Sequence, residues 1–572
     1  MAVDDPRPQQ QGGLLEGLPR WTGRDAAPSL PEWVLRGAEV LVVLALVVLA
    51  VRVRHPARLF THQFWLDESW VADSTRASWG QLRLLTSSTP IGWTVLLRAV
   101  PRWGDAERYR LLPLAFAVAG AGPAWFLGRQ LVVARRGTPT ADGLDVARRA
   151  SRHRPSWSRW LGPSVAGLAA VLAPTALGYP YLKQYTAEAF TSLLLVALVA
   201  WVERRWSPVR LSVLAATAVL SFLVANTALF VTFAVFGGLA LTSLARRSQW
   251  RRLAWLAGTA AVVAVADLWI YRTFLAASNG AAMQRYWRGR YIPATEGWGE
   301  GWRFVAPRAL AAIESIGFGP WPLALALLVA GVAALWRAGV PAAALALPIM
   351  VVEVVVAGLQ RRYPFLELRT SMFLIVLATV VAALGVVALA SLALRWRGTA
   401  LLGLAVLVGA GALFLPEARQ AARIPLFEEN AKGQVRLVQE LRRPGDVVVL
   451  GSLAAYHWAY YGSERPTFVP AAEGRTIRFE VIYPHDRGLL VAKGRTPALI
   501  KEAMDQVPPG ARRVWVLVNH EEHLIPIWVR NAARHGGRLV APMAHPCAAF
   551  TEAERARAGV SSGQCPLLFS FG

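Results

Sequence analysis

Between Trp33 and Pro416 the chain is a succession of apolar runs, and many of them reach the roughly 20 residues that a helix needs to cross a bilayer core. In hydrocarbon every backbone polar group must be satisfied inside its own segment, so such runs fold as helices. We read about eleven spans, near 33–53, 109–132, 160–180, 187–203, 210–224, 227–245, 253–275, 319–336, 341–359, 368–394 and 399–416. With 572 residues, 55% hydrophobic and only 17% charged, the composition excludes an ordinary soluble multidomain protein. The expected fold class is an α-helical multi-pass membrane protein.

The net charge of +25 does not point to nucleic acid, because most arginines lie in short loops between apolar runs. With the N-terminus inside, the inward loops hold Arg135, Arg136, Arg148, Arg149, Arg152, Arg154 and Arg159, then Arg204 and Arg205. Arg246, Arg247, Arg251 and Arg252 follow, and finally Arg395 and Arg397. This is the positive-inside pattern of a plasma-membrane protein. Arg52, Arg54, Arg58, Arg361 and Arg362 break it. Residues 1–32, rich in Pro, Gln and Gly, read as a disordered cytoplasmic tail. The first apolar run is long enough to stay as an anchor.

An odd number of spans places residues 417–572 outside. There the pattern changes: DVVVLGS, RRVWVLVNH and CPLLFSFG read as strands, and PALIKEAMDQV and the stretch Ile525 to Arg534 as helices. This predicts a small extracytoplasmic α/β domain. Cys547 and Cys565 fall within it, where an oxidising compartment permits a disulfide.

Unusual residues collect in the outward loops. The first carries FWLDESW and then STPIGWTVLLRAVPRW, too short to span and flanked by tryptophan, which reads as a helix lying in the interface. The third-to-fourth junction is GYPYLKQYTAEAF, a long loop holds QRYWRGRYIPATEGWGEGWRF, and the ninth-to-tenth junction is LQRRYPFLELRTSMF. Buried charge beside lipid is costly, so these acids and arginines need a reason.

The order of these pieces resembles the GT-C glycosyltransferases that use polyprenyl-phosphate sugars, the group of the protein O-mannosyltransferases and the lipid A aminoarabinose transferase. The matching pieces are LDESW, STPIGWTVLLR, GDAERYRLLPLAFAVAGAGPAWFLGRQL, YPYLKQYTAEAF and YPFLELRTSMFL, over roughly residues 33 to 400. Ser88-Thr89-Pro90 stands where the family usually has His-Pro-Pro. The resemblance implies transfer of a sugar from a polyprenyl-phosphate donor to an extracytoplasmic acceptor, a glycan, lipid or protein, with membrane lipids around the donor chain and no nucleic acid. It places the general base at Asp67.

One carboxylate suffices for such a reaction, because the lipid phosphate leaves without help and the base takes the acceptor's proton. Adjacent residues on a helix point about 100° apart, so Glu68 has another role, which is to orient the acceptor, a backbone amide or a metal. The alternative for Asp67 is a helix N-cap. Lys183, Arg361, Arg362 and Arg369 are the cations available to the donor phosphate, or else to lipid headgroups. Tyr185 and Glu188 lie at the same depth, as donor-sugar contacts or else in helix capping or packing, and Tyr363 is a further expected substrate contact. Glu353, in an apolar run, is expected to line the cavity. Asp267 is expected to contribute there or to pair with Arg272. Arg288 and Arg290, among aromatics, read as substrate contacts or as part of an interfacial belt. His520 and His523 have a spacing that on a helix suits metal, but two histidines without assembled partners read first as surface residues; a divalent cation remains open. No phosphate-binding or dinucleotide loop and no serine-hydrolase elbow occurs. A lipid-linked-sugar transporter or a non-catalytic scaffold is the alternative.

Overall fold

The computed structural model describes residues 32–86, 89–100, 107–133, 158–179, 181–247, 250–276, 280–293, 295, 297–394, 400–424, 429–471, 477–560 and 564–571. The N-terminal tail, Ser88 and Arg135, Arg136, Arg148, Arg149, Arg152, Arg154, Arg395 and Arg397 lie outside them. Helix α1 (Glu32–Arg52) runs from a first unit, ending at Ala45, into a second, Leu46–Gly572.

Among the described residues eight helices are long and apolar enough to cross a membrane, and Pro208–Val224 and Trp321–Arg337 are shorter apolar helices. The last span does not stop near Pro416, as expected, but continues as a helix to Arg423. The helix Met372–Ala393 forms the axis of the bundle and is 89% buried, whereas Leu401–Arg423 is only 17% buried and turns its apolar side outward. A helix apolar all round suits such an axis. Its neighbour Trp321–Arg337 approaches by backbone contact: a Cβ on Gly331 would lie 1.9 Å from the Val381 carbonyl, and one on Gly385 2.0 Å from that of Leu327. Only glycine fits at this crossing.

The loop after α1 folds into short helices, including α2 (Leu66–Ser74) and α3 (Ile91–Ala99). It is gathered around one ion pair. Arg110, 1% exposed, meets the fully buried Glu68 through Nε at 2.9 Å and through a second nitrogen. The same guanidinium donates to the carbonyls of Leu59 at 2.7 Å, His62, and Gln63 at 3.1 Å. Glu68 also accepts the Leu182 amide at 2.8 Å, so the loop is tied to the segment entering α4 (Tyr185–Arg204). Trp93 of α3 donates to the Leu182 carbonyl at 2.9 Å. The expected interfacial helix is thus anchored by its buried tryptophan.

The C-terminal region is an α/β sheet, as expected, with more strands than its sequence announced. Its strands are β1 (Val447–Leu450), β2 (Thr467–Pro470), β3 (Phe479–Ile482), β4 (Leu489–Val491), β5 (Arg513–Leu517), β6 (Gly537–Leu539) and β7 (Leu567–Phe571). The main sheet runs β4-β1-β5-β7-β6, parallel across β4, β1 and β5 and antiparallel beyond, with β2 and β3 a separate antiparallel pair. Alternation along the strands gives the sheet two buried faces. Val447, Val449, Val514 and Val516 pack on the helices Pro497–Asp505 and Ile525–Arg534. Val448, Leu450, Trp515 and Leu517 share a core with Phe64, Trp70 and Leu97 of the first loop, through the helix Ala454–Tyr461. A disulfide joins Cys547 to Cys565.

Breaking a buried pair by removing one partner leaves an uncompensated charge, which costs about 3–5 kcal/mol. Arg110→Ala is therefore expected to lower the thermal unfolding midpoint of the detergent-purified protein strongly, and the double change Glu68→Gln/Arg110→Met to recover part of the loss. An unchanged midpoint for Arg110→Ala would contradict this role.

Candidate active site

Asp67 sits in the first turn of α2, yet it does not cap the helix: the N-cap is Trp65, which makes no side-chain cap bond. Instead Asp67 Oδ2 lies 2.6 Å from Lys183 Nζ, with the carboxylate a quarter exposed and the lysine 13% exposed. Trp70 Nε1 donates to Asp67 Oδ1 at 3.4 Å, and the Lys183 ammonium stands 5.2 Å from the Trp70 ring centroid. One helical step on, Glu68 is turned into the protein onto Arg110 and the Leu182 amide. The two adjacent acids therefore live in different media, one open and one sealed.

Arg369 lies within electrostatic reach of Asp67. Its Nε donates to Glu367 Oε1 at 3.0 Å, and the Thr370 amide donates to the second oxygen of Glu367 at 2.9 Å. Burial works against the Arg369 charge, but Tyr185, Glu367 and Asp67 outweigh it and hold its proton more tightly than usual. Tyr363, half-buried, donates its hydroxyl to the Thr370 carbonyl at 2.6 Å and so braces the same loop. Tyr185 is buried at the head of α4, and Glu188, 2% exposed, lies against the Asn226–Thr227 turn with Oε2 unpartnered.

The other expected residues are placed less centrally. Arg361 and Arg362 are exposed, Arg361 at a φ of 56° in the left-handed region. Arg288 and Arg290 have exposed side chains, but the Arg290 carbonyl accepts the Phe365 amide at 2.8 Å, which ties their loop to the one carrying Arg369. Glu353 is half-buried on the helix Pro341–Leu359 with Oε2 unpartnered. Asp267 is buried, and no ion pair joins it to Arg272 among the described residues. His520 and His523 do not form a metal site: no group of three or more His, Cys, Asp or Glu side chains fit to hold an ion occurs among the described residues. The Asp67–Glu68 pair is likewise divided between Lys183 and Arg110.

Sequence reading missed the partner of His520. His520 Nδ1 lies 2.7 Å from Oε1 of Glu429, a carboxylate only 4% exposed. Oε2 of Glu429 accepts the amide of Leu66, the first residue of α2, at 2.7 Å, and His457 Nε2 lies 3.1 Å away. Burial opposes ionisation of Glu429, but the nearby His457 and His520 imidazoles outweigh it and bring its pKa from 4.5 to about 2. No local pattern marks Glu429 or His457. Glu367 was findable, standing two positions before Arg369 in YPFLELRTS.

The depressed pKa of Glu429 means that its stabilising contribution is complete above the ordinary carboxylate value and is lost as pH falls through about 2. The bond to Glu429 raises the His520 pKa against burial, so that contribution is complete below the ordinary imidazole value and is lost as pH rises through the raised one. Glu429→Gln should therefore destabilise most near roughly pH 5–6, by about 3 kcal/mol, and much less at pH 2. Thermal unfolding across pH measures this; a pH-independent difference would contradict it.

No protein-family model matches the sequence, and none of the curated proteins is similar to it. Among solved structures the chain is similar to ArnT from Cupriavidus metallidurans in the apo state, with a TM-score of 0.51 and 12% identity over 94% of this chain and 98% of that one. The apo oligosaccharyltransferase of Archaeoglobus fulgidus superposes more loosely, with a TM-score of 0.46 and 11% identity over 89% of this chain and 74% of that one. AglB from the same organism, in complex with an inhibitory peptide and a dolichol-phosphate, gives a TM-score of 0.46 and 10% identity over the same shares. The chain shares its fold with ArnT along nearly its whole length.

Proposed function

We propose that the protein is a membrane glycosyltransferase that moves a sugar from a polyprenyl-phosphate donor to a hydroxyl of an extracytoplasmic acceptor, with inversion at the anomeric carbon. The observation that carries this reading is the open Asp67–Lys183 pair with Arg369 beside it. One cation touches this partly exposed carboxylate and a second lies within its electrostatic reach. A guanidinium and an ammonium are a suitable clamp for a phosphate.

The pair also suggests an order of events. Without donor, Lys183 occupies Asp67 in an ion pair. An arriving phosphate competes for the ammonium, and as Lys183 turns to it Asp67 is released as a base. The acceptor oxygen then attacks the anomeric carbon opposite the phosphate. The bond from that carbon to the phosphate oxygen breaks with its electron pair on the leaving group, and the acceptor proton passes to Asp67. Polyprenyl phosphate and the new glycoside are the products. In this scheme Glu68 holds the loop through Arg110, and Tyr185, Glu188 and Tyr363 shape the sugar pocket. Arg361 and Arg362, being exposed, meet headgroups or the phosphate as it enters. Arg288, Arg290 and Glu353 lie at the edge of the site, on the acceptor or lipid side. The isoprenoid chain would lie in a lipid-facing slot between helices, and the C-terminal region would face the acceptor outside the plasma membrane.

With labelled polyprenyl-phosphate mannose, arabinose and galactose as donors, release of polyprenyl phosphate tests the proposal by mass spectrometry. Asp67→Asn should abolish release while donor still binds. Lys183→Ala should weaken donor binding about 10- to 100-fold, the worth of one charged hydrogen bond. Turnover by Asp67→Asn at the unaltered rate would refute the assignment, and donor movement across the bilayer without release would favour a transporter.

A further inference from the structure

A cavity of about 440 Å³ lies in the C-terminal region, and no residue of the candidate active site lines it. Its volume is in the range of binding pockets. The pattern of its lining is informative. Side chains of a strand alternate between two faces, so a cavity against a sheet face meets every second residue. This one meets every residue from Leu489 to Lys493, along β4 and just past it, and every residue from Glu480 to Pro484, along β3 and just past it. It therefore sees both strands edge-on.

The β4 edge is unpaired. β4 is the outermost strand of the main sheet and bonds only to β1. The Val448 amide donates to the Gly488 carbonyl at 2.7 Å, and the Ala492 amide to the Leu450 carbonyl at 2.9 Å. With Gly488 and Ala492 turned to β1, alternation turns the backbone groups of Leu489, Val491 and Lys493 the other way. The Leu489 amide is taken by the Asp486 carbonyl at 3.1 Å, but the Val491 and Lys493 amides and carbonyls make no hydrogen bond among the described residues. Val491 is part-exposed and Lys493 exposed. Across the cavity β3 offers less: Tyr456 donates its hydroxyl to the Phe479 carbonyl at 2.6 Å, and Val481 is 1% exposed. An open strand edge is a template for another backbone, which repeats N–H and C=O at the same spacing. A glycan has no such repeat.

Charge narrows the occupant further. Asp486 is held by Arg442 at 3.3 Å, and Lys493 by Glu502 at 2.6 Å, with Glu480 also acting on it. Arg495 meets Glu521 only at 3.7 Å, and the exposed Arg487 has no ion pair among the described residues. The charge left for a ligand is positive, which suits a carboxylate. We infer that an extended polypeptide segment carrying an acidic residue docks here as an added strand beside β4, its carboxylate on Arg487 or Arg495. Tyr456 belongs to the helix Ala454–Tyr461, whose Tyr460 carbonyl accepts Arg76, just beyond α2, at 2.8 Å. The docked segment thus lies one helix away from the helix of Asp67. The inference does not depend on the reading of Asp67 as base.

The test pans a phage-displayed library of random peptides on the full-length protein in nanodiscs, and the enriched sequences are then synthesised. They should carry Asp or Glu, and their binding should slow hydrogen exchange at the Val491 and Lys493 amides. N-methylating one alternate set of peptide amides should weaken binding roughly tenfold, and methylating the other set should not. Arg487→Glu, at an exposed position, should keep the unfolding midpoint and weaken binding about threefold to fivefold. A library that yields no binder overturns the inference, as do binders that leave both amides unprotected or ignore N-methylation. Protection of those amides by mannan oligosaccharides, with no peptide bound there, would make the slot a glycan site and overturn it as well.

Discussion

A carboxylate and a guanidinium sealed from water are the constraint on which the site is built. Glu68 and Arg110 have almost no exposed surface, so each needs the other, and Arg110 needs the three loop carbonyls it collects as well. That requirement closes the first loop over the end of the bundle and brings the Leu182 amide to Glu68. Lys183 follows Leu182 in the chain. The buried pair therefore sets the distance at which Asp67 and Lys183 face each other. A buried ion pair of this kind adds little net stability over a well-packed apolar pair; its visible effect here is the arrangement of the loop.

Asp67 and Glu68 show how little sequence adjacency says about environment. The helical turn between them puts one against Arg110 in a dry interior and the other, a quarter exposed, against the Lys183 ammonium. Glu429 adds a fixed negative charge at the N-terminal end of the same helix, where backbone amides favour it. The helix bearing Asp67 is thus fastened from the bundle side by Glu68 and from the sheet side by Glu429.

Hydropathy made the helical class legible, and short apolar runs bounded by polar or turn residues did the same for β1, β5 and β7, because both are local consequences of burial. The short strands β4 and β6 carry no such signal and form only because longer neighbours offer them an edge. The candidate site divides in the same way. Asp67, Lys183 and Arg369 stand out because charge beside apolar runs is unusual. Glu429 and His457 look like ordinary polar residues of an α/β region, and their meaning arises from contacts with Leu66 and His520 that no spacing along the chain foretells. His520 was visible, but spacing to His523 suggested metal, whereas the fold directs it to a carboxylate. The helix Trp298–Glu314 escaped notice because its tryptophans and glycines read as loop.

The account depends on Lys183 exchanging one anion for another. Cryo-electron microscopy of the protein in a lipid nanodisc with polyprenyl phosphate measures this directly. Density for the phosphate between Lys183 and Arg369, with the lysine drawn away from Asp67, is the predicted result. Phosphate bound elsewhere, with the Asp67–Lys183 pair intact, would contradict it.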